Sequence, residues 1–474
     1  MASNKVTSNK RVPWALNKRI LWALLGVLVL GMCGFAVFAV LTQVSTASIA
    51  DNLAKIKDSG APTSLAELME ASSAGRAEAD AAETEKLFQA ALAAAKDVCK
   101  KLQNAYAPAV LTNGRYNEEG LARAREAFAA HPDFVADVEK WAASPPSADV
   151  PPPAASPEQF LQHVVSLTQS RLTIARALHF RALMALQDED WRELAGVIET
   201  MLRLSRRCEP MPGAVAVQTA LHIERQALEL LHVLLREGPL AEANPILQAL
   251  SRSPPLTDRL LAMVRQERAF GLALAERYAG KDSYWKRYAY NRFRLNYLKY
   301  FERLESGLKT GLYGDVADVR IENYVSPETD AAKMTAPSLR SAVAEAYHVE
   351  ALRRLLLTAG RILEQSQASG VLPQSLREAE VPAEWKRDPF DGQELRLARR
   401  EEGWIVYSVG RNLHNDGGEN GGISDDIAVG PFAPPEKTDQ ADSSGPPSTE
   451  HESAGKRGSA TGRKTGVTHV RLDE

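Results

Sequence analysis

FLQHVVSLTQSRLTIARALHFRALMALQ, residues Phe160–Gln187, sets Leu161, Val164, Val165, Leu167, Leu172, Ile174, Ala177, Leu178 and Leu183 along one broad stripe. Apolar residues recurring at three and four match the turn of an α-helix with one buried face. Asp188-Glu189-Asp190 marks a short turn, and Trp191–Arg207 returns as a second helix burying Leu194, Val197, Ile198, Met201, Leu202 and Leu204. The chain is expected to be mainly α.

Working outward, the same periodicity holds over Val215–Arg236, Leu240–Leu250 and Leu256–Tyr278, with proline breaks at Pro210, Pro212, Pro245, Pro254 and Pro255. It returns in Pro337–Ser369, closed by Gly370 as a C-cap. Upstream, Ala79–Leu102 and Glu118–Ala130 are Ala-rich and helical, and Ser64 with Glu67 three residues later reads as a capped helix start. Helix pairs joined by an acidic turn resemble the unit of a tetratricopeptide-type solenoid. No 34-residue period accompanies them, so an irregular helical bundle or array is expected. Ser144–Pro157 (SPPSADVPPPAASP) is a Pro-rich linker or surface loop.

Ser283–Leu308 is dense in aromatic and basic residues. Tyr290, Phe293, Tyr297, Tyr300 and Phe301 at helical spacing face a core under one reading. Under others, the basic and aromatic mixture seats at lipid headgroups or stacks on nucleic-acid bases, the latter out of place outside the cell membrane.

No charged residue separates Arg19 from Asp51, and Ile20–Leu41 (ILWALLGVLVLGMCGFAVFAVL) is almost wholly apolar. As a helix it matches a bilayer core of roughly 30 Å. Lys5, Lys10, Arg11, Lys18 and Arg19 precede it with no acid. Positive flanks stay in the cytoplasm, which puts the body outside, in the periplasm of a bacterium. A rival reading cleaves the segment as a signal peptide after Ala50, but the apolar run exceeds the usual h-region of about 7–15 residues. An inner-membrane, single-pass anchor is expected.

The 474 residues carry a net charge of −3, so nothing suggests a nucleic-acid partner. Cys33 lies in the apolar run, while Cys99 and Cys208 would be exported and could either pair or stay as separate buried thiols.

After Gly370 the period changes. Glu394–Arg400 and Trp404–Val409 read as two strands joined at Glu401-Glu402-Gly403, with a third short strand at Asp426–Val429. Asp388-Pro389-Phe390-Asp391-Gly392 is turn chemistry. From about 371 to 430, the ordered series of this turn, WIVYSVG (404–410), Asn415-Asp416-Gly417-Gly418 and Ser424-Asp425-Asp426-Ile427 resembles the C-terminal β-module of the type II secretion major pseudopilin. The layout is also similar to large single-pass bacterial envelope proteins with a helical body. The pseudopilin resemblance implies calcium on the Gly/Asp loop, with Asp416, Asp425 and Asp426 as ligands and Ser408 or Asn412 assisting. Hard oxygen ligands suit that ion. Gly410-Arg411-Asn412 departs from the Gly-Ala-Asp of that family, and Arg411 would repel a cation. Gly34-Phe35-Ala36 lies deep in the apolar run with no Glu beside it, so processing as a pilin subunit is not expected.

No Gly-x-Ser-x-Gly elbow, His-Glu-x-x-His or phosphate-binding Gly-rich loop appears. The expected organisation is a cytoplasmic N-terminus (1–19), a transmembrane helix (20–41), an N-terminal helical region (51–143), the linker (144–157), a helical body (158–369), a β-module (370–430) and a disordered tail (431–474). The expected function is that of a membrane-anchored interaction or scaffold module with a protein partner in the envelope, leaning away from catalysis. A hydrolase or glycan-binding protein with a dispersed site, and an accessory factor of a secretion or pilus-like system, stay open as alternatives.

Overall fold

The computed structural model describes residues 14–73, 81–102, 111–112, 115–144, 156–208, 211, 213–278, 284–324, 330–421 and 424–433. Helix α1 (Trp14–Asp58) is unbroken, so the apolar run and the stub after it form one rod of about 68 Å. Gly60, with φ of 74°, turns the chain out of it. Most side chains of the expected span Ile20–Leu41 lie outside the described residues. Among the described residues no helix is long and apolar enough to cross a membrane.

The chain continues through α2 (Leu65–Ser73), α3 (Ala81–Leu102), a small hairpin of β1 (Leu111–Thr112) and β2 (Arg115–Tyr116), α4 (Glu118–Ala129) and α5 (Phe134–Ala143). The body follows as α6 (Pro157–Gln187), α7 (Trp191–Cys208), α8 (Ala214–Glu237), α9 (Leu240–Ser251), α10 (Leu256–Tyr278), α11 (Tyr284–Leu308), α12 (Gly314–Ala317) and α13 (Asp330–Ser369). After it come α14 (Ala383–Lys386), β3 (Arg396–Arg400), β4 (Gly403–Ser408), β5 (Asn420–Gly421), β6 (Ser424–Asp425) and β7 (Ile427–Phe432). Residues 145–155 of the Pro-rich stretch, and 434–474 of the expected tail, lie outside the described residues.

Several boundaries differ from expectation for local reasons. Pro157 belongs to α6, where its missing N–H is harmless in the first turn. Ser156 completes the cap by accepting from Gln159 N while Gln159 Oε1 accepts from Ser156 N. Pro245 sits inside α9 instead of breaking it. Helix α13 runs back through Pro337 to Asp330. At α2, Glu67 N donates to Ser64 Oγ, but the Glu67 carboxylate reaches one residue further, to the N–H and hydroxyl of Thr63. That pair of bonds holds the Glu67 carboxyl below its ordinary range. The last strand extends to Phe432, past the expected end of the module.

The regions expected as 51–143 and 158–369 share one core. Phe88, Val98 and Trp141 belong to the same buried cluster as Ile174, Leu204, Leu228 and Leu355. Phe88 lies 5.0 Å from Trp141, and the Arg207 guanidinium from α7 stacks 4.7 Å over the indole. A smaller cluster of Leu68, Met69, Phe160 and Phe270 pins α2 to α6 and α10. On α11, Tyr297, Tyr300 and Phe301 are buried and Phe293 is half-buried against them, which favours the core reading of those aromatics. Cys99 and Cys208 are free thiols. Their sulfurs donate to the carbonyls of Thr173 and Leu204.

The module is a three-stranded antiparallel sheet in the order β3-β4-β7, with Leu397 opposite Val406 and Tyr407 opposite Ala428. Central β4 is buried from Trp404 to Ser408, and the sheet packs on α8 and α13.

Candidate functional site

The turn Asp388–Gly392 is drawn tight by its first residue. Fully buried, Asp388 accepts through Oδ1 from Phe390 N at 2.9 Å and Ser408 Oγ at 2.8 Å. Its Oδ2 accepts from Val409 N at 3.1 Å and Arg396 Nη1 at 2.6 Å. Arg396 bridges onward to Asp391. One carboxylate thus ties the turn, β3 and the end of β4 together. Burial pushes it up, against the pull of the Phe390, Ser408 and Val409 donors.

The residues expected around calcium divide into separate groups. Ser408 points to Asp388. Asp426 Oδ2 accepts from Asp416 N at 3.1 Å and Gly418 N at 2.7 Å, folding the Gly-rich loop over itself. Asn412 Nδ2 donates to Asp416 Oδ2 at 2.8 Å. Asp425 is exposed. Burial, with the Asp416 charge adding to it, pushes the Asp426 carboxyl up. Among the described residues no group of three or more His, Cys, Asp or Glu is placed to hold a metal. Of the five candidates, Ser408, Asn412, Asp416 and Asp426 each have a side-chain group engaged with the loop itself or with the turn.

Arg411, expected to disturb a cation, docks the loop instead. Its Nη2 lies 3.3 Å from Glu345 Oε2 on α13, and Arg225 Nε from α8 reaches Glu345 Oε1 at 2.8 Å. Arg225 also pairs with Glu229 at 3.2 Å and approaches His222 Nδ1. One turn along α13, burial lowers the His348 pKa to about 4. His222, Arg225 and Glu229 lie three and four apart on α8, but the joining of that helix to Glu345 on α13 and Arg411 in the loop has no signature in a linear reading.

A cleft of about 300 Å³ opens where α10, α13, the turn after α11 and the Asp388 turn meet. Glu350 in its wall is buried and held by Arg353 at 2.5 Å and Arg354 at 2.7 Å. Arg354 Nη1 donates to the Arg387 carbonyl at 2.7 Å, tying α13 to the module. Arginine pairing commits both Glu350 and Asp388 to bracing. Lys309 and Arg387, also in the wall, make no ion pair among the described residues. Glu384 in the same wall makes no ion pair among the described residues either, so the spare charge is two cations against one carboxylate.

No family model, curated protein or solved structure matches this chain.

Proposed function

We propose that the chain is a membrane-anchored envelope protein, with α1 as its single-pass anchor and the helical body as an interaction scaffold on the far side of the bilayer. The docking of α1 carries this reading. Phe38, Thr42, Ser45 and Ile49 are buried along one face of it. Phe38 lies 4.7 Å from Tyr288, and Asn291 Nδ2 donates to Thr46 Oγ1 at 2.9 Å. The opposite face keeps Val37, Val40, Leu41 and Val44 exposed, continuous in sequence with the apolar run. Removal of the anchor after Ala50 would cut α1 in mid-helix and strip its buried face from α11, which supports retention. The basic flank before Ile20 supports an outward body.

The buried carboxylates Glu350 and Asp388 are spent on bracing the fold's own elements, which suits a scaffold better than a hydrolase with a dispersed site. Carbonate washing of membranes holding the full chain, with a C-terminal phosphatase fusion, tests the reading. Retention in the pellet with active phosphatase is expected; release, or an inactive fusion, overturns it. A second reading, an accessory factor of a secretion or pilus-like machine, draws support from the order of turn, hairpin, Gly/Asp loop and closing strand. Its test is co-isolation with the inner-membrane assembly of such a machine.

A further inference from the structure

Two neighbouring features of the α1–α11 pair are unused by the packing of the body. Met32, Val37, Val40, Leu41 and Val44 are 48–65% exposed on α1. Val37, Val40, Leu41 and Val44 are three and four apart, so they form one stripe. Contiguous exposed apolar surface of this kind marks a contact surface. The stripe runs about 4.5 Å beyond Leu41, the end of the uncharged apolar run.

Beside it, α11 is strongly one-signed. From Tyr284 to Phe301 the sequence holds Lys286, Arg287, Arg292, Arg294 and Lys299 and no acid. Lys286, Arg287, Arg292 and Lys299 are exposed, and none makes an ion pair among the described residues. Arg294 stacks 5.4 Å over Tyr290. Contact between Phe38 and Tyr288 sets the axial level: the first turns of α11 meet α1 about 4.5 Å short of Leu41. Asn291 meets Thr46 about 7.5 Å beyond Leu41, so these turns straddle the end of the apolar run, and their long basic side chains reach outward to the lipid phosphates.

We infer that the first half of α11 and the exposed stripe of α1 form a platform resting on the far leaflet, where Lys286, Arg287 and Arg292 take the phosphates of anionic lipids. The inference rests on the proposed anchor and goes beyond it, because an anchor alone needs no contact between body and bilayer. Unbroken helix between the apolar run and the docked face leaves no hinge there, so the body is held at the surface. Basic side chains near an anionic surface are drawn to it within a Debye length.

The test uses the full chain in vesicles of phosphatidylcholine alone, in vesicles with added phosphatidylglycerol, and in detergent. Acylation of Lys286 by a water-soluble amine reagent is read against Lys309 at the far end of α11. Lys286 should react at least fivefold more slowly in anionic vesicles than in the other two, and the Arg287→Glu/Arg292→Glu variant should lose that difference. Equal rates in both lipid mixtures, with the chain retained after an alkaline wash, overturn the platform and leave the anchor standing. Slowing in detergent as well would show cover by protein and overturns it too. Loss of the chain from vesicles in the wash overturns both readings.

Discussion

His232 on α8 accepts a hydrogen bond at Nε2 from the N–H of Gly430 in β7, 2.8 Å away and 198 residues further along the chain. Phe432 stands edge-on to the same ring at 6.0 Å. An accepting nitrogen carries no proton, so this contact between body and module exists only with a neutral imidazole. Burial, with the Arg236 charge adding to it and Glu237 opposing it, lowers its pKa to about 4.

The first prediction follows from that value. The folded pKa near 4 lies below the unfolded value of about 6.5. Between the two, the unfolded chain binds more protons, so this contribution is full above pH 6.5 and is lost as pH falls towards 4. Amide exchange at Gly430 and Val429 should accelerate over that window, beyond the intrinsic change. His232→Leu should remove the dependence and cost about 1 kcal/mol at pH 8 by orphaning the part-buried Gly430 N–H. Protection independent of pH would refute this.

Glu267 should behave in the opposite sense. It is buried in α10, where its Oε2 accepts from Ala214 N at the start of α8, and burial pushes its pKa up to about 7. Here the folded chain holds the proton that the unfolded chain has lost. Stability from this group is therefore full below about pH 4.5 and falls as pH rises to 7. Glu267→Gln keeps the acceptor without the charge. It should leave Tm nearly unchanged at pH 4 and raise stability at pH 8 by on the order of 1–3 kcal/mol. Equal Tm for both proteins at pH 8 would discard the raised pKa.

These two groups also show where a linear reading stops. The 3.6-residue period over Phe160–Gln187 or Leu256–Tyr278 is local, and the helices end there as the pattern does. Helix α5 had a signal too, since Phe134, Val138 and Trp141 are spaced at four and three and all are buried. Its shortness beside the Pro-rich stretch hid it. The Asp388 turn and the Asp416–Asp426 loop were legible as turns because their chemistry lies within a few residues. Their partners were not. Arg411 meets Glu345, His232 meets Gly430 and Glu267 meets Ala214 only after tertiary packing, and no propensity encodes which distant helix supplies the other half. A resemblance in motif order suggested calcium, whereas the directions of the hydroxyl and carboxylate bonds are properties of the fold.

Removing Asp388 should be far more costly than removing Arg411. Asp388→Ala would strand the Ser408, Phe390 and Val409 donors in a buried site and leave Arg396 with Asp391 alone, a change of about 3–5 kcal/mol. Arg411 is 45% exposed where it meets Glu345, so Arg411→Ala should cost below about 1 kcal/mol. Denaturant unfolding of both variants measures the contrast. Comparable losses would mean that the module is held by its loop, with the Asp388 turn secondary.

The Gly/Asp loop gives the last prediction. A calcium ion takes about six to eight oxygens, and several of the loop's side-chain oxygens are already engaged. Asp426 Oδ2 receives two N–H groups, Asp416 Oδ2 receives the Asn412 amide, and the Ser408 hydroxyl faces Asp388. Binding would require breaking bonds that shape the loop. Calcium at millimolar concentration, or a chelator, should therefore leave Tm unmoved. Asp426→Ala should cost about 1–3 kcal/mol in either solution, because the N–H groups of Asp416 and Gly418 lose their acceptor. A rise of several degrees with calcium that vanishes in Asp426→Ala would instead make the loop a cation site, with its internal bonds the resting arrangement that the ion displaces.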